Sequence, residues 1–164
     1  MKDDKDEDKI IIIIRHAEKI SDDYVDLSPK GKIRAECLPK LFSESGLKYI
    51  PSKLYANKRI ETTTRPYDTL VPLAKILNLE IEEFDKLKAE EFAKNKLINS
   101  KHNVILVCSS RGKIPIITKV LGHEIIVESN EFDKYYIWKN GKYFKEGKQS
   151  DYIGKLIQEK YSEN

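Results

Sequence analysis

Five consecutive isoleucines, Ile10–Ile14, run directly into Arg15 and His16. A strand with one wet face alternates apolar and polar side chains, so an unbroken β-branched run predicts a strand buried on both faces. Such a strand needs a covering layer on each side of its sheet. A membrane span takes about 20 apolar residues, and here Arg15 ends the run after five. A second apolar run, Val104–Cys108, leads in the same way into Ser109-Ser110-Arg111-Gly112.

Helical spacing fills the intervals. Ser28-Pro29 reads as an N-cap followed by proline in the first helical position. Ile33, Cys37, Leu38, Leu41 and Phe42 then recur on one face, with Pro39 inside the helix as a bend and Gly46 as a stop. Leu54–Ala56 reads as a short strand. Arg65-Pro66 opens a helix carrying Leu70, Leu73, Ala74 and Leu77, with Pro72 as a second bend. Glu80–Phe84 reads as a weak strand and Lys86–Asn99 as a helix through Leu87, Phe92 and Leu97. A helix with Ile116, Ile117, Val120 and Leu121 follows, then a strand at Glu124–Val127. Asn140-Gly141 marks a hairpin between Tyr135–Trp138 and Lys142–Phe144, and Asp151–Tyr161 closes as a helix. Alternation of strands and helices predicts an α/β fold, a three-layer α/β/α sandwich with a mostly parallel central sheet.

At 164 residues the chain is one domain. Residues 1–9, nearly all Asp, Glu and Lys, read as a disordered charged leader that is neither signal nor transit peptide, and 10–164 as the domain. With 40% hydrophobic and 35% charged residues the chain can bury a core, which excludes disordered and collagen-like classes. The expectation is a soluble cytoplasmic protein, and Cys37 and Cys108, which have no metal or redox spacing, fit buried thiols in a reducing compartment. A net charge of +3 from 30 basic and 27 acidic groups, with no concentrated basic stripe, argues against nucleic-acid binding. A nucleic-acid or scaffold role would rest on excess lysine alone.

Only five of the 30 cations are arginines: Arg15, Arg34, Arg59, Arg65 and Arg111. In a chain that otherwise uses lysine, an arginine in a loop brings its planar five-donor fork. Ligands of open α/β sheets collect at the carboxyl ends of the strands, which is where Arg15, His16 and Arg111 fall. Arg65 sits at a helix N-terminus, itself favourable to anions. Three guanidinium forks around an imidazole suit a tetrahedral oxyanion such as phosphate, and the imidazole can carry phosphorus as a phosphohistidine. Taken singly, each has a structural alternative: His16 as a hydrogen-bonding residue, Arg65 as a cap or ion pair, Arg111 as cover for the sheet. Their joint placement favours an anion pocket. Glu18 and Lys19 line its mouth or pair with each other. His102 and His123 fall at the opposite end of the sheet, and Tyr135, Tyr136 and Trp138 read as packing residues.

Ile10–Ile14 followed by Arg15-His16-Ala17-Glu18-Lys19 resembles the strand and Arg-His-Gly signature of the histidine phosphatase superfamily, with Ala17 where glycine is commonest. Leu27-Ser28-Pro29-Lys30-Gly31 with Arg34-Ala35-Glu36 resembles the segment opening that family's first helix. Thr64-Arg65-Pro66-Tyr67-Asp68-Thr69 is similar to the motif carrying its second phosphate-binding arginine. The likeness runs from Ile10 to Trp138, most closely to small members with Arg-Pro-Tyr-Glu-Thr and Cys-Trp-Glu-His-Gly-x-Ile-Pro motifs. It implies a phosphoglycerate mutase-like fold and a metal-independent phosphatase with no cofactor. Such an enzyme acts on a phosphorylated small molecule or a phosphoprotein, not on nucleic acid or membrane. His16 would be the nucleophile, with Arg15 and Arg65 holding phosphoryl oxygens.

One motif departs from the pattern. Cys108-Ser109-Ser110-Arg111-Gly112-Lys113-Ile114-Pro115 places Arg111 where the family has its second histidine, and a shift of one or two residues places Ser110 or Ser109 there instead. Arg111, Ser109, Ser110 and Glu18 thus join Arg15 and Arg65 as expected substrate-binding groups. Losing one transition-state donor costs about 10²–10³ in rate; an arginine donor either offsets this in part or, with its bulk and permanent charge, holds phosphate too tightly to release it. The proton donor would come from Glu82, Glu83, Asp85, Glu90 or Glu91. Two functions follow: a phosphatase for a phosphomonoester or phosphohistidine, or a catalytically impaired relative that binds a phosphorylated ligand or partner. A phosphoglycerate mutase proper needs a larger substrate-enclosing insertion than this chain holds.

Overall fold

The computed structural model describes residues 8–163. In chain order the elements are β1 (Ile10–Arg15), α1 (Pro29–Leu41), β2 (Lys53–Asn57), α2 (Arg65–Leu77), β3 (Ile81–Phe84), α3 (Ala89–Phe92), β4 (Val104–Ser109), α4 (Ile114–Val120), β5 (Lys134–Lys139), β6 (Lys142–Lys148) and α5 (Ser150–Ser162). The six strands form one sheet in the order β3-β2-β4-β1-β5-β6. β3, β2, β4 and β1 run parallel, and the β5–β6 hairpin adds two antiparallel strands.

The isoleucine run explains the architecture. Every residue of β1 is buried, with β4 on one edge and β5 on the other. Ile10, Ile12 and Ile14 pack against Ile33, Leu38 and Leu41 of α1, Leu70 and Leu73 of α2, and Ile153 and Ile157 of α5. Ile11 and Ile13 face the opposite layer, with Phe92 of α3, Leu97, and Ile114 and Ile117 of α4. This is the three-layer sandwich with a mostly parallel sheet. Asn140 (φ 52°) and Gly141 (φ 84°) make the tight turn between β5 and β6 that their sequence predicts. Tyr135 packs into one core and Tyr136 and Trp138 into the other.

Three local expectations change. Glu124–Val127 forms no strand; its backbone is engaged by side chains, Ile125 N–H donating to Thr118 Oγ1 at 2.8 Å. Ile125 and Val127 are buried all the same, and the Val127 carbonyl accepts from Arg111 instead. The Lys86–Asn99 helix is broken into a 3₁₀ turn, α3, and a π-helical stretch over Ala93–Ile98. The five-residue spacing of Phe92 and Leu97 suits a π repeat, and both are buried, whereas Leu87 is 79% exposed. Ile116 likewise faces outward from α4, which buries Ile114, Ile117 and Thr118.

At the amino end, Asp8 and Lys9 are tied to the hairpin turn. Lys9 N–H donates to Asn140 Oδ1 at 2.8 Å, Asn140 N–H donates to Lys9 O at 2.8 Å, and Asn140 Nδ2 donates to Asp8 Oδ1 at 3.0 Å. The rest of the charged leader, residues 1–7, lies outside the described residues. No helix among the described residues is long and apolar enough to cross a membrane.

Candidate functional site

Arg15 is the last residue of β1 and pairs with Ser109, the last of β4. The ladder continues one residue further, with His16 N–H donating to Ser109 O at 3.1 Å. His16 is therefore fixed at the carboxyl edge of the two central parallel strands and is only 4% exposed. Its Nδ1 lies 2.7 Å from the Ala17 carbonyl. A carbonyl only accepts, so Nδ1 carries the proton and Nε2 keeps its lone pair. Burial, with Arg15, Arg65 and Lys19 nearby, pushes the imidazole pKa down to about 4, despite the opposing bond to Ala17. The ring is neutral at physiological pH.

The loop after His16 is locked to two helices. Ala17 N–H donates to Thr69 Oγ1 at 2.9 Å, and that hydroxyl donates to the Arg65 carbonyl at 2.8 Å. One side chain thus couples the histidine loop to the first turn of α2, where Arg65 sits. Ser28 caps α1 by accepting from Gly31 N–H at 3.0 Å, and its own N–H donates to the Glu18 carbonyl at 2.9 Å. Gly31 is required by this approach, since a Cβ there would lie 2.2 Å from Glu18 O.

Arg15 stacks its guanidinium 3.8 Å over the Phe132 ring. Its Nη1 donates to the Ser129 and Glu131 carbonyls at 3.0 and 2.9 Å. Burial first, then Arg111 and Arg65, push its pKa down to about 10, which leaves it a cation. Arg65 is buried and donates through Nη1 to the Tyr24 carbonyl. Arg111 is exposed in the turn after β4 and reaches the Val127 carbonyl at 3.3 Å. The structure thus gathers Arg15, His16, Arg65 and Arg111 at one edge of the sheet.

Other expected contacts are engaged elsewhere. Both carboxylate oxygens of Glu18 are held by Arg34, at 2.9 and 2.8 Å. Arg34 Nη1 also donates to Asp133 Oδ1 at 2.7 Å and Gln149 Oε1 at 2.9 Å. Although burial opposes it, these carboxylate partners hold Arg34 above its usual pKa. Lys19 pairs with Asp22. Ser109 is fully buried and gives its hydroxyl proton to the Ser110 carbonyl at 3.1 Å. Ser110 donates its N–H to Asn57 Oδ1 at 2.6 Å.

Four of the five expected proton donors are engaged elsewhere. Glu82 pairs with Lys53, Glu83 with Arg59 and Glu90 with Lys94, and each partner holds its carboxylate below the usual range. Asp85 caps Leu87 N–H. Glu82 and Glu83 lie on β3, three strand spacings or about 14 Å from β1. His123 stacks on Tyr143 at 3.9 Å, and His102 precedes β4, both at the far end of the sheet.

Among the described residues, four buried side-chain nitrogens find no partner: Arg15 Nε, Arg65 Nε, Asn57 Nδ2 and Trp138 Nε1. Three of the four are at this edge, and all are donors. Buried donors are ordinarily paired, and leaving one unpaired costs about 1–3 kcal/mol. A site rich in unmet donors and cations suits an anion. Among the described residues, no group of three or more His, Cys, Asp or Glu side chains is placed to hold a metal ion. Sequence reasoning gave no role to Asn57, Thr69 or Phe132. For Thr69 a signal existed, because it lies one helical turn after Arg65.

No protein-family profile matches the sequence, and no curated protein matches it. Solved structures do match. The protein histidine phosphatase SixA complexed with tungstate superposes with a TM-score of 0.61 at 15% identity, covering 87% of this chain and 98% of that one. A phosphoglycerate mutase from Bacillus anthracis str. Sterne gives 0.58 at 13% identity, covering 90% and 96%. A mycobacterial glucosyl-3-phosphoglycerate phosphatase with inorganic phosphate gives 0.54 at 10% identity, covering 79% and 88%. The fold is phosphoglycerate mutase-like.

Proposed function

We propose that this chain is a histidine phosphatase superfamily member that hydrolyses a phosphomonoester or a phosphohistidine through a phospho-His16 intermediate, with no metal or organic cofactor. The observation that carries the reading is the neutral His16, its Nδ1 committed to the Ala17 carbonyl and its Nε2 free beside buried arginines. In the first step Nε2 bonds to phosphorus while the bond from phosphorus to the leaving oxygen or nitrogen breaks, and the leaving group takes up a proton. In the second step water attacks phosphorus, the Nε2–P bond breaks, and inorganic phosphate departs. Arg15, Arg65 and Arg111 neutralise the equatorial oxygens throughout. Ser110, beside Arg111, is the remaining candidate for a substrate contact, while Ser109 and Glu18 support the site from behind. The substrate is a phosphorylated small molecule or a phosphoprotein, and the reaction takes place in the cytoplasm.

Of the five expected proton donors, Glu82, Glu83 and Glu90 are paired with cations and Asp85 caps Leu87 N–H, so that group is poorly placed to supply the proton an alkoxide requires. An imidazole leaving group needs less help, which favours phosphohistidine. The same observation favours a second reading, an impaired relative that retains a phosphorylated ligand on its arginines. Hydrolysis of p-nitrophenyl phosphate by wild type, His16→Ala and Arg111→His, with EDTA present, separates the two. Wild-type turnover abolished by His16→Ala supports the enzyme. Silence in wild type with turnover gained by Arg111→His supports the binding protein.

A further inference from the structure

Asn57 ends β2 at the carboxyl edge and is 3% exposed. β2 and β4 pair Ala56 with Cys108, and β4 and β1 pair Ser109 with Arg15. Asn57 therefore continues the register opposite Ser109, in the row that holds Arg15, two strand spacings or about 10 Å away. Alternate residues of a strand share a face, so Asn57 follows Tyr55 and Arg15 follows Ile13, and both of those apolar residues belong to one core layer. The two polar side chains crown the same face of the sheet.

The amide has a defined orientation. Its Oδ1 accepts the Ser110 N–H at 2.6 Å, and only the oxygen end can do so. The nitrogen end, with two N–H groups, is buried without a partner. Ser110 immediately precedes Arg111, so the Asn57 amide is held against the turn that carries one arginine and stands in the strand row that carries another. Arg15 Nε, in the same row, is also an unmet donor. Ser109 lies between them in the row, fully buried, with its hydroxyl turned to the Ser110 carbonyl; an acceptor seated above it satisfies both, and the surrounding charge selects an anionic one. A tetrahedral oxyanion taking hydrogen bonds of about 2.8 Å from each side fits between side chains rising from Cα atoms this far apart.

We propose that Asn57 is a phosphate-binding residue of this site, its Nδ2 donating to an oxygen of the bound phosphoryl group. The proposal rests on the phosphatase-type reading above. A neutral donor holds the oxygen without adding to the mutual repulsion of the arginines, and its fixed amide plane sets where that oxygen lies.

Calorimetric titration of inorganic phosphate and tungstate into wild type, Asn57→Asp and Asn57→Ala tests it. Asn57→Asp keeps the shape and the acceptor for Ser110 while replacing the donor with a negative charge. The expected result is phosphate affinity reduced about tenfold by Asn57→Ala and about a hundredfold or more by Asn57→Asp, in the range of hydrogen bonds to charged groups. A folded Asn57→Asp that binds as tightly as wild type overturns the proposal, the nitrogen then being met by water alone. A crystal structure of the wild type with tungstate reads the contact without any variant. An oxygen within about 3.2 Å of Nδ2 supports it, and an oxygen bound only to the arginines overturns it. Wild type that binds neither anion overturns the parent reading as well, which keeps the two failures apart.

Discussion

His16 has one ring nitrogen committed to the protein and the other kept as a lone pair, an arrangement that lasts only while the ring stays neutral. In the unfolded chain an imidazole titrates near 6.5, whereas here burial first, and then the neighbouring cations, push it down to about 4. Between those values the unfolded state binds a proton that the native state refuses, so stability falls as pH drops through this window. The loss amounts to about 2 kcal/mol between neutral pH and about pH 5. Urea unfolding of wild type and His16→Gln at both pH values checks it, because the variant lacks this component. NMR titration of the ring gives the same quantity directly. A midpoint near 6.5 in the folded protein would show that the arginines and burial do not act on this nitrogen.

At the scale of elements, the histidine loop is held by the first turns of α1 and α2 rather than by its own sequence. Gly31 lets the Glu18 carbonyl approach the α1 backbone so closely that a methyl group has no room. Gly31→Ala is therefore expected to cost about 1–3 kcal/mol of stability by overpacking, and to lower turnover by displacing the loop that orients His16. Thermal unfolding and steady-state kinetics of that variant measure both effects. Such supports were partly legible in the sequence. Ser28-Pro29 announced the start of α1, and Ile10–Ile14 announced a strand buried on both faces, because capping and periodicity are local signals. Arg15, His16, Arg65 and Arg111 were legible because each follows a strand or begins a helix. Asn57 was not, since its role depends on Ser110, 53 residues away. Glu18 was read as a pocket-mouth residue because its partner in the Arg34 network lies 16 residues on, and Asp133 and Gln149 lie about a hundred residues further. Lys86–Asn99 misled because an apolar pattern does not distinguish an α repeat from a π repeat, and Glu124–Val127 because its backbone is engaged by side chains such as Thr118 that a short apolar run does not reveal.

Across the whole molecule, 30 basic groups nearly balance 27 acidic ones, so the surface carries little net field while Arg15, Arg65 and Arg111 concentrate charge at one sheet edge. Two kinds of anion binding follow, and salt separates them. Polyanions held loosely by scattered lysines are screened within about 10 Å at moderate ionic strength. Phosphate seated among buried arginines is screened much less. Binding to the native state alone raises stability by mass action, by about 2.7 kcal/mol at a hundredfold excess over Kd. For a chain of this size that corresponds to a rise in Tm of about 5–10 °C. The expected result is that phosphate and tungstate raise Tm in wild type and retain most of the shift in about 0.5 M sodium chloride. Arg65→Met is expected to abolish the shift in either buffer, because the lost guanidinium is one of the two buried arginine cations that act on His16. A shift that disappears with salt and survives Arg65→Met would assign the binding to surface lysines, and the carboxyl edge of the sheet would then lose its claim to be an oxyanion site.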